Sequence, residues 1–262
     1  MAKGNLRLER ATVVSNELVY TNTYLMWLSC PPVARAAAAG RFLMIHCTDT
    51  LDPLLPRPMS FHRFRDAGGE RQFAILFDVR GRGTTWLADR KTGDGITIFG
   101  PLGRGYEVKK NSENLLLVAG GLGVAGVMPL ADDAVESGRA VTLLHGARSG
   151  DLLFPRQLLP TDVEFVSATE DGSAGHHGRV TELLAERLPW ADQVFACGPN
   201  PMFASMAEVV RGARSRKPVQ ALLEERMGCG TGVCYGCAVF TRKCVKLVCR
   251  DGPRFELREV FS

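Results

Sequence analysis

The apolar positions in the first part of the chain come in short runs separated by turn residues. Strand-like stretches fall at Arg10–Val14, Thr23–Leu28, Phe42–Cys47 and Gln72–Val79, punctuated by Pro31-Pro32, Gly40, Pro53, Pro56 and Gly68-Gly69. Many short strands between turns predict a small β-barrel or sandwich over residues 1–108. Ala34–Ala39 reads as a loop or a short helical turn in that setting. From residue 109 the pattern changes. Leu115–Val118, Ala140–Leu144, Asp162–Val166 and Gln193–Ala196 are apolar strands, and helical stretches fall at about Val127–Glu136, Val180–Arg187 and Met202–Arg211. Strands alternating with helices predict an α/β domain with a parallel sheet over residues 109–219. Residues 220–262 then form a small third part rich in cysteine.

The cysteines are the most specific chemical signal. Cys229, Cys234 and Cys237 are spaced C-x4-C-x2-C, and Cys249 follows twelve residues later. This is the ligand rhythm of a plant-type 2Fe–2S cluster. Gly228, Gly230, Gly232 and Gly236 surround the thiols, which lets backbone N–H groups approach the sulfurs. Cys249 is the favoured fourth ligand and Cys244 the alternative. A structural zinc site normally shows paired C-x2-C knuckles, and only one such pair is present. Eight cysteines in 262 residues fall well below the density of a disulfide scaffold. No basic segment followed by an apolar stretch marks a secretory leader. A reducing, cytoplasmic setting is therefore expected. A third part of this size needs a metal or a partner surface to fold.

Composition narrows the rest. A net charge of +4, with basic residues scattered, argues against nucleic acid as a partner. No run of about 18 apolar residues exists, so no membrane span is expected.

Phosphate-handling loops come next. Gly120, Gly121 and Gly123 belong to a G-G-L-G-V-A-G turn between an apolar strand and a helix. Such a turn brings backbone N–H groups to a pyrophosphate. The acidic residue that usually follows the second strand and holds a ribose hydroxyl is missing; His145-Gly-Ala-Arg-Ser149 stands there instead. Cys197, Gly198 and Pro199 open C-G-P-N-P-M after the last strand, at the end of a parallel sheet where ligands bind. Arg57-Pro-Met-Ser60 and Gly81-Arg-Gly-Thr-Thr85 suit a second nucleotide.

The order R-P-M-S, G-R-G-T, G-P-L-G-R-G-Y, A-G-G-L-G-V-A, G-A-R-S, T-E-D-G-S-A-G-H-H-G, C-G-P-N-P-M and C-x4-C-x2-C…C-R-D-G-P resembles the ferredoxin-reductase superfamily. Within it, the chain is similar to the electron-transfer subunits of NAD-dependent dihydroorotate dehydrogenases. The likeness spans almost the whole chain. Its most specific part is Cys249 followed by Arg-Asp-Gly-Pro253, which favours Cys249 over Cys244 as the fourth ligand.

The resemblance implies a β-barrel flavin domain, an α/β nucleotide-binding domain and a C-terminal 2Fe–2S domain. FAD and the cluster are the implied cofactors, with NAD as co-substrate. Arg57, Pro58, Met59 and Ser60 would line the flavin, as would Leu76, Phe77 and Asp78, with Gly83 and Thr84 at its pyrophosphate. Two positions depart from the usual pattern: Met59 stands where many reductases place an aromatic residue, and Asp78 where the family often carries a basic one. The implied partner is an FMN-containing catalytic subunit in a two-plus-two heterotetramer of pyrimidine biosynthesis. Electrons would run from dihydroorotate through FMN, the cluster and FAD to NAD. No side chain is needed as a general acid or base; His176 and His177 read as loop or nucleotide-edge residues. The alternatives are an NAD(P)H reductase subunit serving ferredoxin, sulfide or a hydrogenase, and a non-enzymatic zinc-stapled binding module.

Overall fold

The computed structural model describes residues 8–48 and 50–261. The N-terminal runs form β1 (Leu8–Tyr20), β2 (Thr23–Ser29), β3 (Phe42–Ile45), β4 (Arg57–Ser60), β5 (Arg63–Ala67), β6 (Glu70–Asp78) and β7 (Gly95–Leu102). They make one antiparallel sheet in the order β4-β3-β7-β1-β2-β6-β5. The two edge strands, β4 and β5, are joined only by Phe61 and His62. A link that short brings the edges together, so the sheet curls into a barrel. Two short helices accompany it, α1 (Pro31–Ala34) and α2 (Arg82–Ala88). Strand β1 runs well past the expected Val14. Its polar Ser15–Glu17 stretch is held by pairing with Trp27, Met26 and Leu25 on β2, an interaction no local pattern encodes.

Strand β6 explains why Gln72–Val79 reads as a nearly continuous apolar run. Phe73, Ile75 and Phe77 point into the barrel core. Leu76, on the opposite face, packs with Leu115, Leu117 and Phe195 of the second domain. Both faces of the strand are buried, one on each side of the domain seam.

The α/β domain contains β8 (Asn114–Gly120), α3 (Val124–Glu136), β9 (Ala140–Ala147), β10 (Val163–Thr169), β11 (His176–His177), α4 (Leu184–Arg187), β12 (Gln193–Cys197), α5 (Asn200–Gly212) and β13 (Val219–Leu222). The tail adds a hairpin, β14 (Ala238–Phe240) and β15 (Val245–Leu247), and then β16 (Arg254–Glu256). The second sheet runs β11-β10-β9-β8-β12-β13-β16. All its pairings are parallel except the last, where β16 lies antiparallel to β13. Position 220 therefore falls within a strand of the α/β sheet, and the tail returns to that sheet after its cysteine loop. Among the described residues no helix is long and apolar enough to cross a membrane.

A buried histidine ties the barrel to α3. Pro129 lies inside α3 and has no N–H, so the carbonyl of Ala125 loses its helical partner. His62 Nδ1 of the barrel lies 3.4 Å from that oxygen. Burial, followed by the charge of Arg63, pushes the His62 imidazole down to about 3. The unfolded chain protonates His62 near 6.5, so between those values the unfolded state binds more protons. The stabilisation is complete above pH 6.5 and is lost as the pH falls. His62→Gln keeps an amide donor and removes the titration. In urea unfolding below pH 6.5, it should flatten the fall of stability by about 1.4 kcal/mol per pH unit.

Candidate functional site

The barrel and the α/β domain enclose a cleft of about 830 Å³. Tyr20, Thr23, Asp78 and Arg80 line its barrel wall; Gly120, Gly121, Gly123, Arg148, Glu170, Pro199 and Glu224 are among the residues of the opposite wall. The second wall is the carboxyl edge of the parallel sheet, where loops leave the strands and ligands bind. Strand β8 lies between β9 and β12, and the glycine turn that follows it sits at the centre.

The glycines of this turn have different duties. A Cβ on Gly123 would lie 2.1 Å from the carbonyl oxygen of Cys197, so only glycine lets the turn pack against the end of β12. Gly121 has φ +53° and nothing within 4 Å of its Cβ position, and it borders the cleft. Cys197 is buried beneath, and its thiol donates to Glu224 Oε1 at 3.7 Å. Burial, then the adjacent Glu224, pushes the Cys197 thiol far up and keeps it neutral. Gly198 is buried next to it.

The structure thus brings Asp78, Gly120, Gly121, Gly123 and Pro199 into one cleft. Asp78 accepts a hydrogen bond from Thr23 Oγ1 at 2.8 Å and pairs with Arg80 at 2.8 Å, so a cation accompanies its carboxylate. Two acidic residues of the cleft escaped the sequence reading. Glu224 follows β13. Glu170 follows β10, and its N–H bonds the carbonyl of Ala147 at the end of β9. A carboxylate thus lines the cleft after β10, within the T-E-D-G-S stretch, and not after β9.

Arg57, Pro58, Met59, Ser60, Gly83 and Thr84 form a separate set on the barrel. All but Gly83 are half-buried. The guanidinium of Arg57 crosses the start of α2, where a Cβ on Gly83 would meet its Nε at 3.0 Å. Thr84 Oγ1 accepts the N–H groups of Arg80 and Gly81 and so shapes the turn. Leu76 is buried at the domain seam. The ring of Phe77 stacks on Tyr24 inside the barrel, at 5.7 Å between centroids, so it offers the site only its backbone.

The cysteine loop packs on β3 and β7 of the barrel. A Cβ on Gly230 would meet Met44 Cγ at 2.8 Å, and Met44 pairs with Pro58 across the β3–β4 ladder. The thiols fall into two pairs. The Cys234 N–H points at Cys229 Sγ at 3.4 Å, and the Cys249 N–H at Cys237 Sγ at 3.5 Å. Thr231 and Gly236 direct further N–H groups at Cys229 and Cys234. Burial is the largest single influence and pushes the Cys229 thiol up, but the side-chain and N–H donors of Thr231 and Cys234 together outweigh it and lower the thiol to about 5. Burial, then Cys237, raises Cys249 to about 12. Among the described residues no three His, Cys, Asp or Glu side chains converge on a single ion. Two thiols per iron, with backbone donors to the sulfurs, is the arrangement a two-iron cluster requires. Cys244 is exposed beyond Thr241 in the β14–β15 hairpin, outside both pairs.

Comparison with known proteins decides the family. Residues 224–261 match the iron-sulfur cluster binding domain of dihydroorotate dehydrogenase B. The electron transfer subunit of dihydroorotate dehydrogenase B (NAD(+)) from Desulforamulus reducens is 36% identical, covering 94% of this chain and 95% of that protein. The chain belongs to this family of electron transfer subunits. The Geobacillus thermodenitrificans member is also 36% identical, over 96% of this chain and 98% of its own. A solved structure of an NADH-dependent reduced ferredoxin-NADP oxidoreductase superposes with TM-score 0.83 and 29% identity, covering 95% of this chain and 89% of that one. A ferredoxin NADP+ reductase from Neisseria gonorrhoeae, solved with FAD and NADP, shares the fold at TM-score 0.62 and 16% identity. Members of the family are oxidoreductase subunits that serve a catalytic subunit.

The two glycines differ in a measurable way. Gly123→Ala forces the Cys197 carbonyl to move and should cost about 2 kcal/mol or more in denaturant unfolding. Gly121→Ala meets no neighbour and should cost only about 1 kcal/mol, the penalty of a left-handed residue.

Proposed function

We propose that this chain holds FAD along Arg57–Ser60, Leu76–Asp78 and Gly83-Thr84, and a 2Fe–2S cluster on Cys229, Cys234, Cys237 and Cys249. NAD would occupy the cleft at Gly120, Gly121, Gly123 and Cys197–Pro199. One observation carries the reading: the cysteine loop packs on Met44, whose strand neighbour Pro58 belongs to the R-P-M-S stretch. A one-electron carrier and a flavin would then lie a single strand apart. When bound, the flavin exchanges hydride pairs for single electrons, so the subunit links a cluster to NAD.

The chain's own residues bind and orient. Arg57 offers a fixed cation to a phosphate, and Gly83 leaves room for that guanidinium. Asp78, already paired with Arg80, adds no free charge beside the flavin. The neutral Cys197 thiol and Glu224 form a floor for the nicotinamide end of the cleft. Glu170 suits a ribose diol and disfavours a 2′-phosphate, which supports NAD over NADP.

The partner we propose is an FMN-containing catalytic subunit that oxidises dihydroorotate, in a two-plus-two assembly in the cytoplasm. The free state of all eight cysteines is in keeping with a reducing compartment. Val233 and Tyr235 flank the solvent-facing Cys234 in the chain at 78 and 64% exposure, and Phe240 of the following hairpin is 82% exposed. Leu55 of the barrel borders the same loop beside Gly228. An apolar face around a cluster ligand suits a subunit that must receive electrons over a short distance. The likeness to the ferredoxin-NADP oxidoreductase favours one second reading, a subunit serving ferredoxin. Co-purification of a dihydroorotate-oxidising subunit separates the two.

Cys234→Ser should abolish cluster absorbance and the coupling of dihydroorotate to NAD. NADH oxidation with an artificial two-electron acceptor should survive. Equal loss of both activities in a folded complex would contradict separate flavin and cluster stations. Glu170→Gln should lower the preference for NADH over NADPH in kcat/KM by about tenfold, the worth of one strong polar contact.

A further inference from the structure

His145 sits at 0% exposure near the end of β9, below the glycine turn. Its two ring nitrogens have different partners. Nδ1 receives the backbone N–H of Phe154 at 3.3 Å, and Nε2 lies 3.0 Å from the carbonyl oxygen of Gly121. A backbone N–H can only donate, so Nδ1 carries the lone pair. The proton is then on Nε2, which donates to the Gly121 oxygen. Burial pushes the imidazole down to about 4, so it stays neutral at ordinary pH.

This bond joins the one from the Val124 N–H to the same oxygen, and together the two set the direction of a peptide plane. In a trans peptide the C=O of one residue and the N–H of the next point opposite ways. With the Gly121 oxygen drawn down to His145, the Leu122 N–H is turned away from it. Both Gly121 and Leu122 border the cleft. Gly121, at φ +53° and free of neighbours, is the residue of the turn best able to flip. A flipped peptide would present a carbonyl oxygen where an anion has to approach.

We propose that His145 is a positioning residue that locks the Gly121–Leu122 peptide with its N–H toward the diphosphate of a bound dinucleotide. The inference rests on the reading of this cleft as the NAD site. It assigns a role to a side chain that never touches the ligand.

The test uses the purified complex with its catalytic subunit, and equilibrium titration with NAD+ as the first readout. His145→Gln can still place an amide donor near Gly121; His145→Asn is one methylene shorter and cannot; His145→Leu has no donor. The Asn and Leu variants should bind NAD+ about tenfold more weakly, the effect of one buried hydrogen bond. The Gln variant should stay within about threefold of the parent, a difference of under 1 kcal/mol. NADH oxidation should show the loss in KM, with kcat at saturation and the flavin and cluster absorbance unchanged. Equal NAD+ binding by all variants would overturn the role of His145 and leave the NAD site standing. Gln binding as weakly as Asn would reduce His145 to packing and overturn it too. A parent complex that binds no NAD+ would remove the cleft reading, and the inference with it. Should the Leu variant fail to fold, the Gln and Asn pair decides.

Discussion

Everything at the nucleotide end depends on how closely two strand ends can approach. The turn after β8 and the backbone after β12 touch at Gly123 and Cys197, where the missing side chain leaves just enough room for a carbonyl oxygen. That contact joins neighbouring strands of the sheet into a single floor. Glu170, tied through its N–H to Ala147, closes the floor on the far side. The cleft wall is thus backbone packed on backbone, which holds a site more firmly than mobile side chains do.

The same economy of space governs the three parts of the chain. Phe42, Met44 and Leu102 of the barrel share one apolar core with Cys237, Leu247 and Cys249 of the tail and with Leu116 and Ala196 of the parallel sheet. Leu76 and Ala39 join a second core with Leu115, Leu117 and Phe195. The parts are spaced by shared side chains and not by linkers. Distances between the proposed cofactor stations are therefore set by packing, the least compressible element of a protein.

Local chemistry was the legible part of the sequence. The C-x4-C-x2-C rhythm, the glycine turn and C-G-P-N-P-M each occupy contiguous residues, and the structure places the glycine turn and the C-G-P end side by side. The strands on the α/β side were equally readable, because a doubly covered parallel strand is a plain apolar run. What stayed hidden was non-local. The pairing of β13 with β16 joins residues more than thirty positions apart, so no window of sequence reveals that residue 220 lies in the sheet. Phe77 stands in the stretch proposed for the flavin, and only the pleat of β6 shows that its ring turns inward and leaves its backbone there. Glu170 is hidden from a local reading because it follows the third strand, and only the sheet brings it to the cleft. His145 carries no local signal, since its partners Phe154 and Gly121 meet it in space alone.

The return of β16 to the sheet changes how the cysteine loop should be regarded. It is an excursion whose two ends are stitched together, since Leu222 faces Arg254 across adjacent strands. Its closure is enforced by a ladder of peptide hydrogen bonds, independent of iron. Both feet of the loop therefore stand on one sheet edge, and strand spacing sets how far apart they are held.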